Sequence, residues 1–310
     1  MEPATRRLPK RPRPLATWAV ALTMALAATA CQAQNPMPWR GGRQIPVGSP
    51  VVPAGVQRMA DLPYGPDPAQ RLDVYRPEGA RHAPVLVMVH GGAWMFGSKS
   101  AAPVVDEKID HWVRERGFVL VSVGYRLVPQ VTVAEQAQDI AHALAAVQTQ
   151  APGWGGDPSR VVLMGHSAGA HLVALLSASP ALAREGGARP WAATVALDSA
   201  ALDTEALMQR RHMPMYDRAF GSDPAQWRAV SPMARLAPGG PPLLLVCSSV
   251  RRDDPCAQSR RLADAVRAQG GVAQVLPQPL PHGQINSLLG LPGPYTQAVD
   301  AFIDAHLARP

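Results

Sequence analysis

The sequence predicts an α/β fold with a mainly parallel central sheet covered by helices on both faces. Short apolar segments recur along most of the chain, and stretches with helical spacing lie between them. The apolar segments are mostly rich in β-branched residues, which is typical of strands buried on both faces. With 310 residues, of which 47% are hydrophobic, the chain can bury such a core in a single domain.

Seven segments have the character of strands. They are Arg71–Tyr75, Val85–His90, Phe118–Val123, Val161–Met164, Thr194–Asp198, Leu243–Ser248 and Val272–Leu276. Between the third and fourth, Ala137, Ile140, Leu144 and Val147 form one apolar stripe at helical spacing. The repeated strand and helix alternation predicts one doubly covered sheet over residues 71–310. Residues 31–70 are rich in proline and glycine without a sustained period, which predicts a tether or an irregular N-terminal segment.

The first thirty residues are typical of an export signal. Five basic residues and one acidic residue lie in the first thirteen positions, and the uncharged segment Leu15–Ala30 follows, ending in small residues before Cys31. This segment is shorter than the roughly 20 residues of a membrane-spanning helix, so cleavage is expected. The residues before Cys31 resemble a lipobox, so a periplasmic protein, a membrane-anchored lipoprotein and a secreted protein are all open. More than half of the net charge of +7 lies in the first thirteen residues, which argues against nucleic acid as a partner.

Two glycine motifs carry the candidate chemistry. In the first, an apolar strand enters Gly165-His166-Ser167-Ala168-Gly169 and an alanine-rich helix leaves it, which predicts a strained strand-to-helix turn presenting Ser167 as a nucleophile. Alone, this motif would occur by chance in roughly one chain of this length in ten.

The second motif, His90-Gly91-Gly92-Ala93-Trp94, follows another predicted strand. Consecutive glycines let backbone amides turn toward a developing oxyanion, so the amides of Gly91, Gly92 and Ala93 are candidate donors beside that of Ala168. Either motif alone could be an ordinary glycine turn. Both together, in this order and with one strand between them, favour acyl transfer.

With these motifs the chain resembles the α/β-hydrolase family, and within it the small serine esterases that carry a His-Gly-Gly-x-Trp motif. The resemblance extends over roughly residues 72–306 and includes YGPDPAQRLDVYRP, VHGGAWMFGSK, GYRLVPQ, GGDPSRVVLMGHSAGAH and a final PHG. It is strongest to the branch with acetylxylan and feruloyl esterases, with arylformamidases and hormone-sensitive-lipase-type esterases as relatives. The resemblance implies a triad in the order serine, acid, histidine, with Trp94 beside the substrate.

The resemblance places the base at His282, in a Pro-His-Gly loop after the last predicted strand. His166 and His171 lie nearer to Ser167 in sequence, but neither is expected to meet its hydroxyl in line. The acid is expected in the loop after Leu243–Ser248, which contains Asp253 and Asp254. Asp254 is preferred because the family's acid often directly precedes a proline or small residue that opens the next helix, and Asp253 is the alternative.

The sequence therefore predicts a serine carboxylic ester hydrolase that acts through an acyl-enzyme on a small-molecule or glycan-linked ester, with a small, aromatic or sugar acyl group. An arylformamidase or amidase with the same triad is the alternative, and a non-catalytic binding protein of the same fold is a third hypothesis. No cofactor is expected, and no metal, since the histidines and cysteines do not cluster like ligands.

Two further features have two interpretations each. If Cys31 is lipidated or removed, Cys247 and Cys256 remain, either as a disulfide or as two unpaired buried thiols. The interval between Asp198 and Leu243 is rich in methionine and aromatic residues, which is consistent with a substrate-binding flap or, for most of them, with local core.

Overall fold

The computed structural model describes residues 48–308. The predicted export signal and the predicted lipidation site at Cys31 lie outside these residues, as do residues 31–47 of the predicted N-terminal tether. Eight strands form one sheet in the described part of the chain. They are β1 (Val56–Pro63), β2 (Arg71–Pro77), β3 (Ala83–Val89), β4 (Val119–Val123), β5 (Gly156–His166), β6 (Ala193–Leu197), β7 (Leu243–Ser248) and β8 (Ala273–Gln278).

The strand order is β1-β2-β4-β3-β5-β6-β7-β8. The pairs β1 with β2 and β2 with β4 are antiparallel, whereas every pair from β4 to β8 is parallel. The carboxyl ends of β3, β5, β6 and β7 therefore meet at one edge of the sheet, which is where ligands bind in open α/β sheets. All seven strands expected from the sequence are present, and the predicted fold class is confirmed.

Ten α-helices lie within residues 48–308. They are α1 (Ala102–Lys108), α2 (Val133–Gln150), α3 (Ala168–Ala178), α4 (Pro180–Glu185), α5 (Thr204–Met208), α6 (Pro214–Phe220), α7 (Pro224–Ala229), α8 (Pro255–Ala268), α9 (His282–Ser287) and α10 (Pro294–Leu307). A π-helical segment, Ile109–Glu115, continues α1, and a short 3₁₀ segment, Ala151–Trp154, follows α2.

The helices cover both faces of the sheet, and alternate residues of each strand feed two apolar cores. On β3, Val87 and its same-face neighbours pack into the core that includes the stripe of α2 and most of α3, whereas Leu86 and Met88 pack against α1, its π-helical extension and α10. This follows from the period of two along a strand, which sends successive side chains to opposite faces. The start of α2 is fixed by a capping box, in which Thr132 and Glu135 exchange hydrogen bonds.

The first strand was not expected, because Val56–Pro63 falls inside the segment predicted to be a tether or irregular. It is an edge strand with polar and exposed residues along most of its length, and only Val56 is buried. Its pairing with β2 is irregular between Met59 and Leu62, where Asp61 adopts a positive φ of 59°. A strand with so little alternation leaves no hydrophobic pattern, and the folded domain therefore begins before residue 71.

Candidate active site

Ser167 occupies the sharp turn between β5 and α3. Its backbone φ of 58° with ψ of −115° lies outside the regions that a serine ordinarily adopts. The surrounding structure holds this conformation, because the Ser167 amide donates to the carbonyl of Leu197 at 2.9 Å and its carbonyl accepts from the amide of His171 at 3.0 Å. Such local strain, maintained by neighbouring elements, is common at functional sites.

Glycines allow the backbone to pack closely around this turn. A Cβ added at Gly165 would lie 2.4 Å from the carbonyl oxygen of Gly169, and one added at Gly169 would lie 2.3 Å from the carbonyl oxygen of Val89. A Cβ at Gly91 would lie 2.9 Å from the Cβ of Ser167. The two glycine motifs of the sequence are therefore in direct contact, and the close approach predicted for the strand and helix around Ser167 is present.

His282 meets Ser167 as the sequence predicts. It is the first residue of α9, and its Nε2 lies 2.9 Å from the Oγ of Ser167. Its Nδ1 lies 2.6 Å from the Oδ2 of Asp198, which directly follows β6. The structure thus brings together a serine, a histidine and an aspartate in one hydrogen-bonded chain, with Asp198 in the position expected for the acid.

Asp198 is fully buried and adopts a positive φ of 57°. Burial raises the pKa of its carboxyl group. Hydrogen bonds from His282 and from the Ser248 amide, which lies 2.8 Å from Oδ1, and the positive charge of Arg251 outweigh that effect. The net result is a pKa below the usual range of aspartate, so the carboxylate is ionised and can orient the imidazole.

The prediction that Asp254 or Asp253 contacts the histidine is wrong in this structure. Asp254 is exposed and caps α8, where its Oδ1 accepts from the amide of Ala257 at 3.1 Å. Asp253 pairs instead with the guanidinium of Arg251. The physical reason is the adjacency of β6 and β7, whose carboxyl ends both point toward His282. The residue directly after β6 reaches the imidazole, and the loop after β7 contributes an arginine in its place.

The sequence motifs assigned no role to Asp198, and they assigned none to a second residue of this site, Arg251. Its Nη1 lies 2.8 Å from the Oδ2 of Asp198 and 3.0 Å from the Nδ1 of His282. One available sequence signal pointed to Asp198, since it is a carboxylate that closes an otherwise apolar buried strand. No comparable pattern marked Arg251 rather than its neighbour Arg252.

The two histidines beside Ser167 in sequence have other partners. Burial, and secondarily the neighbouring His282, lowers the pKa of His166 to about 3, and its Nε2 lies 3.0 Å from the backbone carbonyl of His282. Burial lowers the pKa of His171 to about 4, and its Nε2 lies 2.7 Å from the carbonyl of Val230. Both are neutral and engaged, which agrees with the expectation that neither meets the serine hydroxyl in line.

The segment after β3 has the backbone of a donor loop. Gly92, Ala93 and Trp94 have positive φ values of 124°, 52° and 63°. Within residues 48–308, no protein oxygen accepts a hydrogen bond from the amides of Gly92 and Ala93. The amide of Ala168 also lacks an intrahelical acceptor, because it is the first residue of α3. These amides, with that of Gly91, border the same cavity as Ser167 or lie next to residues that do.

Trp94 lies in the cavity wall, but almost all of its side chain is buried. Its indole Nε1 donates to the Nδ1 of His171 at 3.2 Å, and its ring contacts Phe220 and Tyr216. The carbonyl of Trp94 accepts from Gln136 at 2.7 Å. These contacts fix the conformation of the glycine loop, and a direct contact of Trp94 with substrate stays a prediction.

A cavity of about 590 Å³ opens above Ser167 and His282, and its lining is mostly apolar. Phe96 and Met213 are exposed at its wall, and Met215 and Tyr216 also line it. The methionine-rich interval between Asp198 and Leu243 therefore contributes both to the local core and to the cavity wall. Met208, Tyr216 and Phe220 are core residues, whereas Met213 and Met215 face the cavity.

Cys247 and Cys256 form a disulfide, which links the end of β7 to the start of α8. The structure therefore has the predicted disulfide rather than two unpaired buried thiols. In residues 48–308 there is no cluster of histidine, cysteine, aspartate or glutamate suited to a metal ion. No helix in the same range has the length and hydrophobicity needed to span a membrane.

Comparison with known proteins finds similarity to several proteins named as esterases. The family model BD-FAE matches residues 72–188. Esterase LipQ of Mycobacterium tuberculosis is 32% identical over 243 residues, which make up 71% of this chain and 56% of LipQ. The chain thus spans little more than half the length of this curated relative.

Two solved structures are similar over most of the described chain. A truncated carbohydrate esterase from gut microbiota has a TM-score of 0.70 at 18% identity, covering 84% of this chain and 100% of that one. Esterase B from Lactobacillus rhamnosis has a TM-score of 0.64 at 23% identity, covering 83% and 88%. Together with the parallel sheet, its helical layers and the turn that carries Ser167, these similarities identify the fold of this chain as the α/β-hydrolase fold.

Proposed function

We propose that this protein is a serine carboxylic ester hydrolase that works through an acyl-enzyme. The observation that carries the proposal is the hydrogen-bonded chain from Ser167 through His282 to Asp198 at the floor of an apolar cavity. The similarity to LipQ and to solved esterases supports an ester rather than another acyl compound as substrate.

In the first half of the reaction, the Oγ of Ser167 attacks the ester carbonyl carbon while its proton passes to the Nε2 of His282. The carbonyl oxygen becomes negatively charged, and the amides of Gly92, Ala93 and Ala168 stabilise it. When the tetrahedral intermediate collapses, the ester C–O bond breaks and His282 returns the proton to the leaving oxygen. An alcohol departs, and the acyl group stays on Ser167.

In the second half, a water molecule takes the place of the alcohol. His282 accepts one of its protons as the water oxygen attacks the acyl carbon, and the proton then returns to Ser167 as the carboxylic acid leaves. Asp198 stays ionised throughout. It accepts a hydrogen bond from the Nδ1–H of His282, so that the lone pair of Nε2 faces the serine. It also stabilises the imidazolium that forms twice in each cycle.

The cavity favours an uncharged, largely apolar substrate. Phe96, Met213 and Met215 offer adaptable apolar surface next to the serine. Among residues 48–308, Arg251 is the one arginine or lysine in the lining, and it is already paired with Asp198 and Asp253. A small or aromatic acyl ester fits these surroundings, and an ester of a sugar places the polar alcohol portion toward the open side of the cavity.

The test is turnover of a substrate panel by the wild type and by Ser167→Ala. The panel contains p-nitrophenyl acyl esters, phenolic esters, acetylated sugars and formyl anilides, the last for the arylformamidase alternative. Wild type should hydrolyse at least one ester class, and Ser167→Ala should lower kcat by about 10⁴-fold or more. Ser159→Ala is the matched control, because Ser159 lies at the opposite end of the same strand, β5.

A fluorophosphonate should label Ser167 in the wild type and leave Ser167→Ala unlabelled. Absence of both turnover and labelling in the wild type would overturn the proposal. Turnover of formyl anilides alone would replace the esterase with an amidase that uses the same triad.

A further inference from the structure

The carboxylate of Asp198 accepts three hydrogen bonds, and one of them comes from a charged side chain, that of Arg251, which takes no part in the steps above. Its Oδ1 accepts from the Ser248 amide, and its Oδ2 accepts from both His282 and Arg251. A guanidinium has only donors, so the Nη1 of Arg251 and the Nδ1–H of His282 converge on the same oxygen atom. These two nitrogens are 3.0 Å apart, which places a permanent positive charge beside the imidazole.

Arg251 is held in this position from both sides. Its Nε lies 2.9 Å from the Oδ1 of Asp253, and its Nη2 bonds to Oδ2 of the same residue, which makes a bidentate pair. The loop that carries it is tied at its two ends by the Cys247–Cys256 disulfide. Burial lowers the pKa of Arg251, but the two carboxylates outweigh burial and the net pKa is above its ordinary value. Arg251 is therefore cationic at every pH at which an esterase operates.

The neighbouring charged and titratable groups come from several elements. Those that face His282 or its two charged partners are His166 on β5, Asp198 after β6, Tyr216 on α6, Arg251 and Asp253 after β7, Tyr295 on α10 and, beyond His166, Lys108 on α1. Burial keeps His166 neutral and raises the pKa of both tyrosines. Burial also lowers the pKa of Lys108 to about 7, and its Nζ donates to the backbone carbonyl of Asn286 at 2.8 Å. Lys108 is present in all variants described below, so its effect on His282 cancels when their pH profiles are compared.

We propose that Arg251 is a positioning residue that keeps the Ser167, His282 and Asp198 chain competent at lower pH than the carboxylate alone would allow. The inference rests on the proposed function, because it concerns the base of that reaction. A fixed positive charge opposes protonation of the adjacent imidazole, and the neutral imidazole is the form that accepts the proton of Ser167. The same charge keeps buried Asp198 ionised, so that it continues to orient His282 as the pH falls.

This role has a signature that a purely structural one lacks. Loss of Arg251 should lower kcat/KM most on the acidic side and progressively less as the pH rises, because the imidazole is unprotonated in both proteins at the alkaline end of the profile. A residue that only supports the fold would lower kcat/KM at all pH values alike.

The experiment measures kcat/KM for a neutral p-nitrophenyl ester from about pH 5 to about pH 9. In Arg251→Gln the acidic limb should move up by about one pH unit or more. Arg251→Lys should restore most of the wild-type profile, because it keeps the charge. Arg252→Gln is the matched control. It removes the same charge from the next position of the same loop, where the side chain is exposed.

Asp253→Asn should shift the acidic limb of the pH profile in the opposite direction. It removes a carboxylate that offsets the charge of Arg251, so the acidic limb should move to lower pH, and this arm remains informative if Arg251→Gln folds poorly. The proposal is overturned if the limb of Arg251→Gln coincides with that of wild type, if activity falls equally at all pH values, or if Arg252→Gln shifts the limb as far.

The outcome for this inference can be separated from that for the proposed function. Wild type that hydrolyses esters, with an Arg251→Gln profile of unchanged shape, refutes the role of Arg251 alone. If wild type hydrolyses no ester, the NMR titration of the His282 imidazole in the same variants gives the answer. Its midpoint should rise in Arg251→Gln and not in Arg252→Gln, and equal midpoints would refute the inference.

Discussion

The nucleophile side of the site, residues 85–94 and 161–171, is fixed by backbone, whereas the acid side, Asp198 with the loop 249–254, is fixed by side chains. On the nucleophile side, glycines permit carbonyl oxygens to approach positions that a Cβ would occupy, as at Gly169 against Val89. On the acid side, one buried carboxylate is held by a histidine, an amide and an arginine. The two halves of one catalytic arrangement thus depend on different kinds of interaction.

The two sides of the site therefore differ in which residues they can accommodate. A Cβ at Gly165 or Gly169 would lie less than 2.5 Å from a backbone carbonyl oxygen, so these two positions of the nucleophile side are restricted to glycine. A carboxylate needs only to reach the Nδ1 of His282, and two adjacent strand ends can supply it. In this chain β6 does so, and the loop after β7 delivers Arg251 to the space beside the same nitrogen.

The largest expected effect comes from replacing each of the two candidate acids, Asp198 and Asp254, with asparagine in turn. Asp198→Asn should lower kcat by about 10⁴-fold, because an amide no longer selects the productive tautomer of His282. Asp254→Asn should leave kcat within about twofold of wild type, since asparagine is an equally good helix cap and tolerates the left-handed backbone of that position. Steady-state kinetics of the two variants decide the matter. A severe loss in Asp254→Asn with an active Asp198→Asn would return the acid to the loop after β7.

The sequence was sufficient to predict most of the parallel sheet because buried strands leave apolar, β-branched runs. It was also sufficient for Ser167, because glycines mark its turn locally, and for His282, because the family that the chain resembles places its base in such a Pro-His-Gly loop. Val56–Pro63 escaped because an exposed edge strand needs no alternation. Asp198 escaped for a different reason, which is that the choice between strand ends depends on distances across the sheet rather than on spacing along the chain.

The disulfide offers the next largest effect and tests how the acid side is held. Replacing Cys247 and Cys256 with alanine should lower the free energy of unfolding by about 2 to 3 kcal/mol, the chain-entropy value for a loop of this length. Denaturant unfolding with and without a reductant measures it. Reductant should destabilise the wild type and have no effect on the double variant. Equal stability of the wild type under both conditions would mean that the covalent link contributes nothing to this loop.

The smallest expected effect tests the nucleophile side. Gly169→Ala places a Cβ 2.3 Å from the carbonyl oxygen of Val89, and because that oxygen belongs to the central strand β3, relief requires α3 to move. We expect a loss of about 1 to 3 kcal/mol in the free energy of unfolding, the usual range for overpacking. Gly153→Ala is the matched control. No heavy atom lies within 4 Å of its added Cβ, so its stability should stay within about 0.5 kcal/mol of wild type.

The activity of folded Gly169→Ala then separates the two kinds of constraint. Movement of α3 displaces Ser167, which directly precedes the helix, from the Nε2 of His282. The kcat should therefore fall in Gly169→Ala even where the protein is fully folded, and it should be unchanged in Gly153→Ala. Full activity in a destabilised Gly169→Ala would show that the turn keeps its geometry without the close contact, and that the nucleophile side is no more constrained by backbone than the acid side.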